Sequence, residues 1–406
     1  MTVDNVSSNR RIVSGMRTTG EIHFGNYHGA LKNWVELQHK YESFFFAADW
    51  HGLTTNYADN INSSEYSWQM IKNWLSAGLS PDKSTIFIQS AVIEHAELHL
   101  LLSMLTPLSW LERVPTYKDQ QEKLREKDLA TYGFLGYPLL QSADVLVYKA
   151  TDVPVGEDQV AHIELIREVA KRFNYLYGRG ANFIEEAEKT IKKMGKKQAK
   201  IFLGAMKSYQ QSGDSQALEQ GLMILQSQAN LSTGDQERLH GYLHGTGKTI
   251  LPEPEALLTK TSKYPGLDGQ KMSKSYGNTL KLTEDPEIIA KKIKTMPTDP
   301  ARIKRTDPGT PSKCPVWNFH EVYSTDDVKQ WVQQGCTTAS IGCIECKSHI
   351  IDAMLAEQKP ILERAAEYQN NHALVKKIIA EGNDKAREVA RSTLSDVREA
   401  MGISYT

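Results

Sequence analysis

An excess of one charge sign, a long apolar run and a spread of cysteines are all lacking in this chain. Lysine plus arginine number 48 and aspartate plus glutamate 49, a net charge of −1 over 406 residues. No global field draws such a chain to a polyanion, so any nucleic-acid binding must use local patches. No apolar run approaches the ~18 residues a bilayer-spanning helix needs, and a membrane protein is not expected. Met1 to Arg11 is polar and lacks the apolar core of a secretory signal, which points to a cytoplasmic protein. Four cysteines in a chain this long do not make a disulfide scaffold. The 40% hydrophobic and 24% charged shares are ordinary for a soluble globular protein, and the length suits two or three domains.

What is present is an alternation of strand and helix signals. Arg11-Ile12-Val13-Ser14-Gly15 reads as a short strand ended by glycine, followed by the turn Arg17 to Gly20. A helical period runs from Tyr27 through Ala30, Leu31, Trp34, Val35 and Leu37. Ser43 to Ala48 is a short apolar run of the kind a buried parallel strand shows. A helical pattern follows over Ser63 to Gly78, and Ser84 to Gln89 fits another strand. This order predicts an α/β fold with a doubly wound parallel sheet. Ligands in that architecture bind beyond the carboxyl ends of the strands. The turns Gly15–Asn26, Asp49–His51 and Gln89–Glu94 should then share one rim. Residues 179 to 250 lack strand signals and read as a helical insertion, rich in lysine at its start (Lys189, Lys192, Lys193, Lys196, Lys197, Lys200). From Asp285 onward the chain is again mostly helical, with a basic cluster at Lys291, Lys292, Lys294, Arg302, Lys304 and Arg305.

Three segments carry chemistry. Gly269-Gln270-Lys271-Met272-Ser273-Lys274-Ser275 brings two cations and two hydroxyls onto a glycine-bounded loop. Phosphoryl chemistry is mostly positioning and charge neutralisation, so a movable cationic clamp suits it; the plain alternative is a Lys/Ser-rich surface turn. His23-Phe24-Gly25-Asn26 sits where a turn enters a helix, whose free N–H groups and dipole favour anions; a capping Asn with a chance His would look the same. Tyr137, Gln141 and Asp144 fall at i, i+4 and i+7 on one face of a largely apolar helix. A carboxylate there is costly unless paired. It could accept from a ligand N–H, or be exposed, or pair with a nearby Lys. Val153 to Gln159 reads as a strand, a glycine turn and acidic residues capping the next helix, with acceptors suited to ribose hydroxyls. Gly245-Thr246-Gly247-Lys248-Thr249 imitates the end of a phosphate loop, but Tyr242 stands where the first glycine belongs and helix, not strand, precedes it.

Together these segments resemble a class I aminoacyl-tRNA synthetase. His23 to Asn26 is similar to the family's first signature, with Asn26 in the final place, and Lys271 to Ser275 matches the second. Gly156-Glu157-Asp158-Gln159, preceded by Ala143-Asp144, resembles the tryptophanyl branch. The resemblance implies a Rossmann-like catalytic domain, ATP with Mg2+, L-tryptophan and tRNA(Trp) as partners, and a homodimer joined through about 98–127. It implies that Arg17, Thr18, Thr19, Gly25, Asn26, Gly156, Glu157 and Asp158 hold ATP. Lys271, Met272, Ser273, Lys274 and Ser275 would clamp its phosphates, and His23, Asn26, Lys118, Lys271, Lys274 and Ser275 would serve catalysis. Asp144 would take the indole N–H, with Tyr137, Gln141, Gln159, His51, Val153, Val13 and Gly15 lining the amino-acid pocket; relatives often carry Met where Gln141 stands. The implied domains are 1–178 (catalytic), 179–250 (insertion), 251–285 (signature loop) and 286–406 (helical, anticodon-binding). A tyrosyl-type synthetase, or a paralogue that binds tRNA without catalysis, would be the alternatives.

Cys314, Cys336, Cys343 and Cys346 are all the cysteines of the chain, spaced C-x21-C-x6-C-x2-C. Thiolates at this spacing suit zinc or an iron–sulfur cluster. The pattern resembles a bacterial subset of the tryptophanyl enzymes that carries a [4Fe-4S] cluster, with Zn2+ or no metal as the alternatives.

Overall fold

The computed structural model describes residues 10–18, 20–59, 62–115, 130–180, 182–258 and 264–405, except the side chains of Asp158, Thr233 and Ser275. Its sheet has five strands, β1 (Arg11–Arg17), β2 (Glu42–Ala48), β3 (Ser84–Ile88), β4 (Asp152–Val155) and β5 (Glu255–Leu258). Their order is β3-β2-β1-β4-β5, so chain direction across the sheet reverses beside β1. β2 and β3 run parallel from Ser43↔Ser84 to Ala47↔Ile88, and β1 and β4 pair in parallel at Ile12↔Asp152. The fold is thus the expected Rossmann-like α/β sheet with helices between its strands.

Two readings of the strands change. β1 does not stop at Gly15 but continues to Arg17. Glycine is needed there for contact and not as a terminator, because an added Cβ would run into the Phe46 ring. β5 was not legible: Glu-Ala-Leu-Leu is short and half-exposed, with neither alternation nor β-branched residues.

The chain divides into two compact units. Among the described residues, the first comprises those within 15–88 and 258–383. Its core explains why Ser43 to Ala48 could be apolar throughout: the strand is buried on both faces. Trp34 stacks on Phe45 with ring centroids 4.7 Å apart and meets Trp74 edge-on at 5.3 Å. Trp74 belongs to the Ser63–Ala77 helix, which starts where Asn62 accepts from the Glu65 N–H. It ends at Gly78, whose φ of 115° allows its N–H to close on Trp74 and Leu75 carbonyls. The 27-residue helix Cys343–Gln369 packs on this core. Its Gln358, fully buried, donates to the Leu282 and Glu284 carbonyls, and Arg364 donates to the Ser76 carbonyl at 2.7 Å.

The second unit comprises residues 9–14, 89–257 and 384–406. It contains the helix Tyr132–Leu146 that bears Asp144, and the helix Val160–Tyr177. The inserted segment is helical throughout, as Phe183–Lys193, Lys196–Ser212, Ser215–Gln226 and Thr233–Leu243. These helices share a core of their own built on Ile191, Phe202, Leu225, Leu239 and Leu243. The phosphate-loop imitation lies after the last of them. Gly247 and Lys248 donate to the Asn174 and Gly178 carbonyls, so these glycines serve a close crossing of two chain segments. Among the described residues no helix is long and apolar enough to cross a membrane.

A buried polar knot ties the first signature to the C-terminal helices within the first unit. Glu357 accepts from Lys32 Nζ at 3.0 Å and from the Tyr323 hydroxyl at 2.9 Å, and its other close partner is His28 Nε2 at 2.9 Å. The Tyr323 hydroxyl also meets that of Tyr264 at 2.7 Å, and the His28 ring stacks on Tyr264. Burial alone would raise the Glu357 pKa. The bond and charge of His28, then of Lys32, outweigh it and hold the carboxyl at about 2. A folded pKa below the ordinary 4.5 stabilises the fold above pH 4.5, and that contribution fades as pH falls toward 2. Glu357→Gln should remove an acid-sensitive component on the order of 3 kcal/mol. Chemical denaturation at a series of pH values checks it; curves that stay parallel between pH 4.5 and 2 would contradict it.

Candidate functional site

The first signature is shaped by reciprocal capping. His23 Nδ1 accepts the Asn26 N–H at 3.3 Å, and Asn26 Oδ1 accepts the His23 N–H at 3.2 Å. His23 is thus the cap of the short helix Phe24–Asn26, which runs on through a π-helical turn, Tyr27–Leu31, into Lys32–Leu37. π-Turns recur at functional sites. Both residues do cap, as the plain alternative supposed, yet the histidine is not a chance one. Accepting on Nδ1 assigns its proton to Nε2. Burial, then the nearby Lys274 ammonium, lowers its pKa to about 4, so it is a neutral donor at pH 7.

The second signature is fastened to the first. Phe24 N–H donates to Leu280 and Leu282 N–H to Ile22, a short antiparallel contact centred on His23↔Lys281. Met272 is buried, and its Cβ lies 3.2 Å from where a side chain on Gly25 would begin. Any residue but glycine at 25 would crowd the His23 ring, 2.9 Å away, and then Met272. Asn278 shapes the loop from inside: its Oδ1 accepts the Ser273 N–H at 2.8 Å, and its amide donates to Asp268 and to the Lys271 carbonyl. Gly269 and Gly277, with φ of 82° and 64°, supply the left-handed turns at either end. Lys271 and Lys274 are exposed as residues. The Lys274 ammonium is nonetheless desolvated enough to bring its pKa down to about 8, with Glu21 opposing the shift. The arrangement offers two exposed cations and a neutral N–H donor on hydrogen-bonded loops, a combination suited to polyphosphate chemistry.

Nearby in the same unit, Arg17 Nη2 donates to Thr55 at 2.5 Å. Thr18 is buried, and its hydroxyl has no hydrogen-bond partner among the described residues. His51 is buried on the Asp49–Asn56 helix. Thr19 and Lys118 lie outside the described residues.

The second unit holds the remaining candidates. The Tyr132–Leu146 helix begins at Thr131, whose hydroxyl accepts the Phe134 N–H, and tolerates Pro138 within it. Asp144 is 1% exposed. Among the described residues, its Oδ1 accepts from Gln89 Nε2 at 2.8 Å and pairs with His95 Nδ1 at 2.6 Å. His95 Nε2 meets the Tyr148 hydroxyl at 2.6 Å. Tyr137 lies against His162, with ring centroids 5.9 Å apart, and Gln141 is half-buried on the same helix. Val13 and Val153 are buried strand residues of β1 and β4.

Gly156 opens a 3-10 turn, Glu157–Gln159, and Gln159 precedes Val160–Tyr177 without capping it through its side chain. Glu157 is exposed and Gln159 half-buried. Gln89, His95, Tyr148 and Asn278 were not singled out from the sequence. Gln89 stands in the turn after a strand, on the rim already marked for function, and His95 follows it at the start of the Glu94–Ser103 helix; the marked turn was the available signal.

The cysteines come from separate elements: Cys314 before the Pro315–Tyr323 helix, Cys336 late in Asp326–Thr337, Cys343 and Cys346 on the first turn of Cys343–Gln369. None is in a disulfide. Burial, then the charges of Cys314, Cys336 and Cys343, raises the Cys346 pKa to about 12, so the four are neighbours. Among the described residues no group of three or more His, Cys, Asp or Glu side chains is close enough to hold a metal ion. Arg302, a member of the basic cluster seen in the sequence, is buried beside them; it reaches Cys336 Sγ at 3.7 Å and donates to the Ile341 carbonyl.

Comparison with known proteins agrees with this geometry. The profile of the family described as tRNA synthetases class I (W and Y) matches residues 6–210 and 211–382. The tryptophan–tRNA ligase of Ralstonia nicotianae is 59% identical over 98% of this chain and 99% of its own. That of Thermotoga maritima is 42% identical over 97% and 100%. The crystal structure of tryptophanyl-tRNA synthetase from Campylobacter jejuni, complexed with ADP and tryptophan, superposes with a TM-score of 0.69 at 25% identity, over 97% of this chain and 99% of that one. The chain belongs to the class I tRNA synthetases of the tryptophan and tyrosine family.

Proposed function

We propose that the chain is a tryptophan–tRNA ligase. It activates L-tryptophan with Mg-ATP and transfers it to the 3′ end of tRNA(Trp). The observation that carries the choice of tryptophan is the buried Asp144 acceptor on an apolar helix. An indole N–H can meet that carboxylate, whereas phenylalanine has no such donor, and a site built on such a bond rejects ligands lacking it strongly. The names of the relatives at 59% and 42% identity support the same reading.

In the first step the tryptophan carboxylate attacks the α-phosphorus, giving tryptophanyl-adenylate and pyrophosphate. In the second, the terminal ribose hydroxyl of the tRNA attacks the activated carbonyl and AMP leaves. No nucleophilic side chain is required; orientation and charge stabilisation supply the rate. His23 offers its Nε2 proton to the phosphates as a neutral donor, while Lys271 and Lys274 neutralise charge that builds on the departing pyrophosphate. Arg17, Thr18, Gly25, Asn26, Gly156 and Glu157 hold ATP, and Lys118, Thr19, Asp158 and Ser275 join them as the family reading assigns. Met272 anchors the loop by its buried side chain. Tyr137, Gln141, Gln159, His51, Val153, Val13 and Gly15 line the amino-acid site. The working boundaries are 1–178, 179–250, 251–285 and 286–406, and the compartment is the cytoplasm.

The four cysteines are assigned to a structural [4Fe-4S] cluster. Their donor chemistry fits, and so does the charge around them: Arg302 and the buried Lys347 stand beside the thiols, as an anionic thiolate set requires. A bound cluster would cross-link three helical elements and take no part in aminoacylation. The protein is assigned as a homodimer, joined through the segment that exposes Leu100, Met104 and Leu108.

Asp144→Ala should lower kcat/KM for tryptophan in ATP–pyrophosphate exchange by two orders of magnitude or about that, and shrink discrimination against tyrosine and phenylalanine; unchanged discrimination would overturn the tryptophan assignment. Lys274 is charged at pH 7 and loses its proton as pH rises through about 8. The value of kcat/KM for ATP, which reports the free enzyme, should therefore fall above pH 8, and Lys274→Arg should flatten that limb. An identical alkaline limb in the variant would contradict the clamp. Protein purified without oxygen should carry iron and acid-labile sulfide that Cys343→Ser and Cys346→Ser remove while adenylate formation persists; intact helices with no bound metal would refute the cluster.

A further inference from the structure

Asp144 is the terminus of a directed chain of hydrogen bonds whose other members have no assigned part in the reaction. Gln89 and His95 are fully buried, and Tyr148 is fully buried behind them. The directions follow from what each group can donate. A carboxylate accepts, so the His95 proton is on Nδ1, facing Asp144 Oδ1 at 2.6 Å. In the neutral imidazole Nε2 then accepts, with the Tyr148 hydroxyl as its donor at 2.6 Å. Burial first, then the charges of Asp144 and Glu94, keeps the Tyr148 pKa well above its ordinary value, so that donor proton is not lost. Gln89 adds its amide N–H to the same Oδ1 at 2.8 Å. Both bonds end on one oxygen. They hold that oxygen from two sides and so restrain the rotation of the carboxylate.

One more atom sets this cluster apart from an ordinary buried network. With its N–H turned to Asp144, Gln89 leaves Oε1 buried without a hydrogen-bond partner among the described residues. An unsatisfied buried carbonyl costs about 1–3 kcal/mol unless a donor arrives. Two acceptors, one anionic and one neutral, thus stand together on donors that point one way.

We propose that Gln89 and His95, the latter set by Tyr148, are positioning residues for amino-acid specificity: they hold Asp144 ionised and aimed so that it reads the ring N–H of the substrate. This rests on the reading of Asp144 as the indole acceptor. Removing the Tyr148 hydroxyl takes away the bond that holds His95 Nε2. Removing the Gln89 amide takes away one of the two bonds to Asp144 Oδ1.

The test compares tryptophan with its analogue in which sulfur replaces the ring N–H, 3-benzothienyl-alanine, by ATP–pyrophosphate exchange on the full chain. The measured quantity is the ratio of the two kcat/KM values. A structural role alone lowers both substrates together and leaves the ratio in place. The proposal expects Tyr148→Phe and Gln89→Met each to shrink the ratio by roughly tenfold, as loss of an outer partner does at other preorganised sites, with His95→Gln retaining more of it than His95→Ala. Thermal unfolding of each variant shows which are folded, and one folded variant of the Tyr148 and Gln89 pair is enough to decide. If neither folds, the direct titration of His95→Gln with both ligands decides by the same ratio. Should Asp144→Ala collapse the ratio while the folded outer variants keep it, this inference is wrong and the role of Asp144 survives. Should Asp144→Ala itself leave the ratio unchanged, the reading beneath has failed.

Discussion

A carboxylate taken out of water is the constraint around which the second unit is arranged. Asp144 cannot stay ionised at 1% exposure without donors, since burying an unpaired charge costs several kcal/mol or forces protonation. The fold meets this with Gln89 in the turn after β3, with His95 in the first turn of the Glu94–Ser103 helix, and with Tyr148, just past the end of Asp144's own helix, bonded to His95. The specificity of the site therefore depends on the sheet, because the strand end and the helix must arrive together for the anion to exist at all.

The first unit solves a different problem, that of keeping an exposed cationic loop near a fixed anchor. The anchor is the contact between Gly25 and the buried Met272, together with the short β-contact between His23 and Lys281. Around it the loop retains exposed lysines and two left-handed glycine turns. The same unit carries His28, Tyr264, Tyr323 and Glu357, a buried knot that joins the signature helix to the helices beyond the cysteines. Movement of those helices would be felt at the signature through hydrogen bonds and not through solvent.

Much of this was legible in the residues themselves. The strands at Ser43 and Ser84 announced themselves by unbroken apolar runs, because burial on both faces leaves no room for polar alternation. The helix ending at Gly78 carried its own stop signal. Both signature loops were visible because their chemistry needs particular residue types at short spacing. What stayed hidden depended on contacts distant in sequence. The partners of Asp144 are 49 and 55 residues away, and no local pattern names them. Arg302 belongs to a basic cluster in the sequence whose members Lys304 and Arg305 are exposed, although its own guanidinium turns inward. β1 continues past Gly15 because the space over that glycine is filled by Phe46, a tertiary fact. The helix after Gly156 starts later than its sequence pattern suggests, because a 3-10 turn intervenes.

The account reduces to one claim: adenylate formation here is selected by a buried anion that accepts from an indole nitrogen. ATP–pyrophosphate exchange measured with each of the standard amino acids in turn tests it most directly. The account predicts exchange driven by tryptophan, with tyrosine and phenylalanine lower by several powers of ten. Exchange with tyrosine alone, or with no amino acid at all, would contradict it.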